Sequence, residues 1–396
     1  RSPFPPMTSF SSVSCCFVTL TSYLIPFTAL SVRQPSRNDP HQTPLFVEAS
    51  WRRLPASAVR KHAAVSQRRE SPAVGLETEE KEDDARAEQM EAWVQTGYGG
   101  PEVLERRSFP RPSPGANQVL VKIKAAALNP IDIARRTGLV AAFINDTFPF
   151  VPGYDFSGTV VGVGRDVTKW QEGMDVYGYV HERGVCPQRY GTFAEYTAVN
   201  EAFIAEKPAS LTHQECASLP TAVMTSLQVL DSLAIPPDAR VLWTAGAGGI
   251  GTTAIQLMKH YIGVKHIATT ASGEEKAQLL KQLGANIVVD YTKQKVTDVL
   301  SDYDFAVDAT GDWDSCLAIA GSVLTIRGGI NRPASVPFFT VRARGSDLYR
   351  VRELYERGVV RPVVDSVFPF DSLPEAFSRL ETGRVTGKVV LRGRDE

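Results

Sequence analysis

Cysteine is scarce: 5 residues in 396, at Cys15, Cys16, Cys186, Cys216 and Cys316. The number is odd and no pair has C-x-x-C spacing, which argues against a disulfide framework and against a structural zinc site. Reduced thiols in an intracellular compartment are the simplest account. An excess of one charge is lacking too, with 43 Lys and Arg against 44 Asp and Glu. With no basic stripe, nucleic acid is not an expected partner. No apolar run makes a convincing membrane span, because Cys15 to Leu30 is broken by Pro26 and by several Ser and Thr. Acids are nearly absent from residues 1–69, where Asp39 and Glu48 stand against Arg33, Arg37, Arg52, Arg53, Arg60, Lys61, Arg68 and Arg69. That is the bias of an organellar transit segment, for a plastid or a mitochondrion, the alternative being a cytoplasmic protein that starts at Met90. The acidic run Glu77 to Glu88 reads as a solvated linker.

What is present is a glycine turn in a telling place. Gly246-Ala247-Gly248-Gly249-Ile250-Gly251 follows a short apolar segment, Arg240 to Ala245, and precedes Thr252 to Lys259, whose apolar residues fall at helical spacing. Alone, a G-x-G-x-x-G is a weak signal. Between a strand and a helix it lets backbone approach a pyrophosphate at the helix's positive end, so a dinucleotide is expected here. An NAD-selective site places an acid roughly 20 residues past the first glycine, to accept from the ribose 2′-hydroxyl. That position falls at Thr269 and Thr270, and neither supplies a carboxylate. Ser272, Lys276 and Tyr291 follow, and a hydroxyl, an ammonium and a phenol suit a 2′-phosphate. Lys276 alone reads equally well as a solvated helix residue. With the acid missing, the group favours NADPH over NADH.

Strand-like alternation at Glu91–Val94 and Gln118–Ala125, then Phe156 to Gly164, gives an all-β start with glycines where strands bend in a small barrel. After Leu211 the pattern changes. Val241–Ala245, His266–Thr270, Ile287–Asp290, Phe305–Asp308 and Val323–Ile326 are five strands separated by helical or loop segments, the sign of a doubly wound parallel sheet. A helix at Leu348–Gly358 and a strand at Lys388–Leu391 close the chain.

These residues carry a resemblance. Ala92-Trp93-Val94, Tyr98 to Leu104, Leu128-Asn129-Pro130-Ile131-Asp132, Pro152 to Gly158 and Gly191 to Tyr196 resemble the zinc-independent quinone oxidoreductase branch of the medium-chain dehydrogenase/reductase superfamily. Asp290-Tyr291-Thr292-Lys293, the short link from Gly329 to Phe338, and Thr386 to Val390 are most similar to its plant-type alkenal and enone reductases, which include chloroplast members. The fold so implied is α/β, a Rossmann doubly wound parallel sheet plus a GroES-like β-barrel catalytic domain. The expected division is 1–89 leader and linker, 90–213 catalytic domain, 214–342 NADPH-binding domain, and 343–396 returning to the catalytic domain.

The resemblance implies roles residue by residue. In zinc alcohol dehydrogenases the positions of Asn129 and Tyr154 hold Cys and His, and that of Asp155 holds Glu. Asn and Tyr are poor zinc ligands, and Thr221 and Ala222 bring no third one, so no metal is expected. Cys186 and His181 lie close in sequence but read as a surface loop. Asn129 and Thr225 match residues lining the nicotinamide and its ribose. Gly249 and Ile250 match the pyrophosphate turn. Phe338, Phe339 and Thr340 match a strand whose backbone meets the carboxamide and which often pairs across a homodimer. Arg384 matches a basic cofactor contact.

The expected chemistry is hydride delivery from NADPH to the β-carbon of an enone, an enal or a quinone, with donors meeting the oxygen charge. Tyr154 is the candidate donor, against packing alone, with solvent as the competing proton source. The enone reductases commonly carry a lysine where this chain has Ala134, followed by Arg135 and Arg136. Arg135 is the candidate substrate contact, a solvent-facing arginine being the ordinary alternative. The substitution also keeps open a catalytically weak NADPH-binding partner protein.

Overall fold

Two sheets organise the chain in the computed structural model, which describes residues 88–144, 146–182, 189–329 and 331–394. These residues belong to one compact unit, Pro72–Glu396. The transit-like leader, Cys15, Cys16 and Cys186 lie outside the described residues.

The first sheet is mostly antiparallel. Its strands are β3 (Gln118–Ala127), β4 (Asp155–Val163), β5 (Asp175–Tyr179), β6 (Tyr196–Asn200), β7 (Ile204–Glu206), β13 (Val364–Pro369) and β14 (Lys388–Arg392). The order is β13-β14-β3-β4-β5-β7, with β6 also paired to β3. In β3, Val119, Val121 and Ile123 are buried while Lys122 and Lys124 are partly exposed, the alternation of a sheet with one wet face. The strand then turns to alanine. Ala125 to Ala127 pair with Arg392 to Val390 of β14, and Ala125, Ala127 and Val390 pack on Ala217 of the short helix α2 (His213–Ala217). Gly158 of β4 sits where β3 shifts register, and a Cβ there would stand 2.2 Å from the Lys122 carbonyl oxygen. A two-stranded ribbon, β1 (Gln89–Gln95) and β2 (Leu104–Pro110), joins the rest through single bridges at Ala92–Ala194 and Gln95–Phe150 and through the Trp93 ring nitrogen, which donates to the Phe370 carbonyl at 2.8 Å. Among the described residues no closed ring of strand pairs is detected in the GroES-like part.

The second sheet is wholly parallel: β8 (Arg240–Trp243), β9 (His266–Ala271), β10 (Ile287–Asp290), β11 (Tyr303–Asp308) and β12 (Ala320–Thr325), in the order β10-β9-β8-β11-β12. The order reverses direction between β8 and β11, and ligands of such sheets bind outside the carboxyl ends at that point. Helices α3 (Pro220–Leu233), α4 (Gly249–Leu257), α5 (Glu274–Leu283) and α6 (Trp313–Ile319) flank it. The helix expected over 252–259 starts earlier, and after Leu257 it widens into a π turn, Met258–Ile262, stopped by Gly263 at φ +86°. Leu227, Trp243, Ile255 and Leu280 are buried in the largest apolar cluster.

After α7 (Gly345–Glu356) the chain crosses back, and α8 (Leu373–Glu381) lies between β13 and β14. Phe377 on α8 meets Phe193 edge-on at 6.1 Å, and the guanidinium of Arg136, from α1 (Pro130–Arg136), lies 5.2 Å from its ring centre. Arg136 also pairs with Glu381 and donates to the Gly99 carbonyl at 3.0 Å. Truncating Phe377 to Ala should cost about 3–5 kcal/mol, read as a lower urea midpoint at unchanged slope.

Candidate functional site: a dinucleotide cleft with a buried polar floor

The glycine turn is shaped by the threonines that stand where an acid was missing. Thr270 accepts from the Ala245 amide at 2.9 Å, and its carbonyl accepts from Gly246 at 3.0 Å. The Thr269 hydroxyl donates to the Trp243 carbonyl at 2.6 Å. Both are buried and tie β9 to the turn. Gly246 is obligatory because a Cβ would sit 2.0 Å from the Thr269 hydroxyl oxygen, and Gly251 because one would sit 2.5 Å from the Ala245 carbonyl. At Gly248 the nearest atom to an added Cβ is the Ala245 carbonyl at 3.3 Å. Gly248 also precedes α4 without capping it by a side chain. Amides without partners at the positive end of a helix fit a diphosphate.

Ser272, Lys276 and Tyr291 stand at the tips of β9 and β10, where Lys276 reaches the backbone of Arg384. The Tyr291 amide donates to the Ala271 carbonyl at 3.2 Å, which sets it beside Ser272. Lys276 donates to the Arg384 carbonyl at 2.9 Å. Tyr291 is 57% exposed, so its ring borders solvent. One carboxylate stands here that the sequence reading did not weigh. Asp290 accepts from the Thr292 hydroxyl at 2.6 Å, the Thr292 amide at 3.1 Å and the Gly273 amide at 3.2 Å. With Lys293 at 3.5 Å, these bonds, led by the Thr292 hydroxyl, hold it below the usual carboxylate range.

The other end of the cleft is a buried polar floor. Lys388, at the start of β14, donates to Asn129 Oδ1 at 2.5 Å and to Asp155 Oδ2 at 3.0 Å. Asn129 Nδ2 donates to the same Asp155 oxygen at 3.0 Å. The remaining Asp155 oxygen accepts from the Thr221 amide at 3.0 Å and its hydroxyl at 2.6 Å. Thr221 and Thr225 share one face of α3 by their spacing, and both are buried. Asp132 closes the group from below. Its Oδ2 accepts from the Asn129 amide at 2.7 Å, while its Oδ1 is buried without a partner. Burial raises its pKa to about 7.

Tyr154 is fully buried beside this floor. Its hydroxyl accepts from Arg135 Nη1 at 3.4 Å, and its ring stacks on Tyr179 at 5.4 Å and lies tilted against His181 at 4.3 Å. Burial pushes the phenol well above its ordinary pKa, so at neutral pH it is a hydrogen-bond donor more than a ready acid. Arg135 is not solvent-facing: it is 2% exposed, pairs with Asp146 through two nitrogens and lies 4.5 Å from the Phe150 ring centre. Nor is His181 on a surface loop. It is buried, and desolvation drives its pKa well down, leaving a neutral ring.

Phe338, Phe339 and Thr340 lie past the end of β12 but form no strand of their own. A single bridge joins Phe338 to Thr325, with the Phe339 amide donating to the Thr325 carbonyl at 2.8 Å. Phe338 is 47% exposed and Thr340 also faces solvent, while Phe339 packs against the core.

Residues 115–209 match the family described as alcohol dehydrogenase GroES-like domain, and residues 283–391 the one described as zinc-binding dehydrogenase. A 2-methylene-furan-3-one reductase of Solanum lycopersicum is 41% identical over 76% of this chain and 79% of its own. The chloroplastic NADPH-dependent alkenal/one oxidoreductase of Arabidopsis thaliana is 40% identical over the same shares. A solved quinone oxidoreductase from Coxiella burnetii superposes with a TM-score of 0.70 at 30% identity, over 77% of this chain and 99% of that one. The chain belongs to the medium-chain dehydrogenase/reductase superfamily. It is an oxidoreductase that uses a nicotinamide cofactor.

One matched description of this superfamily implies zinc, and the donors here do not suit it. Asn129 Oδ1 and Asp155 Oδ2 are already taken by the Lys388 ammonium, and Tyr154 brings a phenol. Among the described residues no three His, Cys, Asp or Glu side chains gather as a metal would need. The buried thiols Cys216 and Cys316 have pKa values raised to about 12 by desolvation. Among the described residues, no helix is long and apolar enough to cross a membrane.

Lys388 and Asp132 have no role assigned from the sequence. Lys388 stood in the Thr386–Val390 motif, but only its distance from Asn129 in the chain was visible. Asp132 gives a pH prediction. Its folded pKa of about 7 lies above the unfolded value of about 3.9. Its stabilising contribution is therefore complete below about pH 4 and is lost as pH rises to about 7. Asp132→Asn keeps the acceptor for Asn129 and should flatten the loss of stability between pH 5 and 7, measured by urea unfolding at several pH values; an unchanged slope contradicts it.

Proposed function

We propose that this chain is an NADPH-dependent reductase of the activated C=C bond of enones and enals, working without zinc. What supports the cofactor choice is that Lys276 reaches the Arg384 backbone beside Ser272 and Tyr291, that threonines stand at the β9 positions where an acid would take a ribose hydroxyl, and that Asp290 is already engaged by Thr292 and Gly273. The amides of Gly249 and Ile250, at the start of α4, would take the diphosphate. Asn129, Thr225 and the backbone from Phe338 to Thr340 would line the nicotinamide. When bound, the nicotinamide supplies hydride to an electrophilic carbon.

The chain's own residues then bind, orient and exclude water. Tyr154, kept protonated, donates towards the substrate carbonyl oxygen as negative charge gathers there. Arg135 is anchored by Asp146 and orients that hydroxyl from the position next to Ala134. Solvent supplies the α-carbon proton. The names of the tomato and Arabidopsis relatives agree with an enone or alkenal acceptor. A quinone is the second reading, favoured by the likeness to the Coxiella quinone oxidoreductase, since either acceptor accepts hydride in the same geometry. A homodimer joined near the exposed Phe338, and import into a plastid or mitochondrion, complete the proposal.

Purified protein should oxidise NADPH with short enones and leave simple quinones largely unreduced. Turnover of quinones alone would shift the assignment, and no turnover with either would refute it. Lys276→Ala should weaken NADPH about 10–100-fold and NADH less than about threefold, measured by fluorescence titration. Equal losses would place Lys276 away from the phosphate.

A further inference from the structure

The third glycine of the turn does not face open space. A Cβ on Gly249 would stand 2.5 Å from Lys388 Cδ and 2.8 Å from its Cγ. The stem of Lys388 therefore runs against the glycine turn on its way to Asn129 and Asp155. The neighbouring backbone is joined as well. The Gly387 amide donates to the Ala247 carbonyl at 2.8 Å, and Gly387 bridges Gly248 in parallel register. On the far side, Asp155 holds the Thr221 amide at the start of α3. One side chain thus touches the turn, two residues at the edge of the antiparallel sheet and, through Asp155, a helix.

We propose that Lys388 is a positioning residue that sets the height of the Gly248–Ile250 backbone relative to Asn129 and Asp155, so that a nicotinamide dinucleotide is held by both sheets in one register. This rests on the dinucleotide reading of the turn. Gly249 is glycine so that the lysine can pass, and not only so that a diphosphate can approach. Held at its Cγ and Cδ by the turn and at its Nζ by two buried oxygens, the side chain keeps one conformation. A change at either end displaces the other.

The two roles for Gly249 separate in a double-mutant cycle. Gly249→Ala, Lys388→Ala and the double variant are made in the full chain, and NADPH Kd and thermal midpoint are measured for each. Gly249→Ala should raise Kd about tenfold, Lys388→Ala by about tenfold or more, and the double variant by no more than Lys388→Ala alone. If the two losses multiply, the added methyl acts directly on the nucleotide and the proposal is overturned. Lys388→Met combined with Asp155→Asn removes both buried charges and guards against a variant that fails to fold. If that folded pair binds NADPH as the original does, Lys388 serves stability alone and the proposal falls. Acceptor turnover is followed in parallel. Binding that obeys the cycle without reduction of any acceptor would refute the reductase reading and leave this one standing.

Discussion

The buried ion pair between Lys388 and Asp155 is the constraint on which the cleft depends. An ammonium and a carboxylate removed from water gain little net stability, because desolvation offsets their attraction. What they fix is geometry. Lys388 has its backbone in β14, its stem against Gly249 and its charge on the first residue of β4. The two sheets approach where that side chain crosses. Asn129 and Thr221 satisfy the remaining lone pairs around it, so the group is a closed network on that side. Asp132 Oδ1, buried without a partner beneath Asn129, marks where the network stops being satisfied and where protonation relieves it.

Arg135 is neutralised by Asp146, and Lys388 by Asp155. At the outer end Lys276 meets the backbone carbonyl of Arg384, and Asp290 is paired with Lys293 at the same sheet tips. The inner end is balanced, and it is walled by the rings of Tyr154, Tyr179 and His181. A neutral, conjugated acceptor suits such a surface better than an anion would.

Much of this was legible in local sequence. A glycine turn between an apolar strand and a helix, and five short apolar runs, are enough to mark the parallel sheet, because each is a pattern within a few residues. What escaped depends on contacts distant in the chain. Nothing near Lys388 shows that its ammonium reaches Asn129, and nothing near Arg135 shows that Asp146 and Phe150 bury it. A charged helix residue reads as solvated unless its partner is known. The ends of α4 also moved, since a π turn extends it in a way apolar spacing does not record. Alternation marks the strands of the GroES-like part but does not record whether a ring of hydrogen bonds closes among them.

The proposed hydride transfer from NADPH to the β-carbon of an enone is open to a direct isotopic test: reduction of a short enone with NADPH carrying deuterium at the transferable C4 position. Mass and NMR analysis of the saturated product should find one deuterium at the β-carbon, with the α-hydrogen drawn from solvent. Product lacking deuterium, or carrying it on the carbinol carbon of an unsaturated alcohol, would contradict the account.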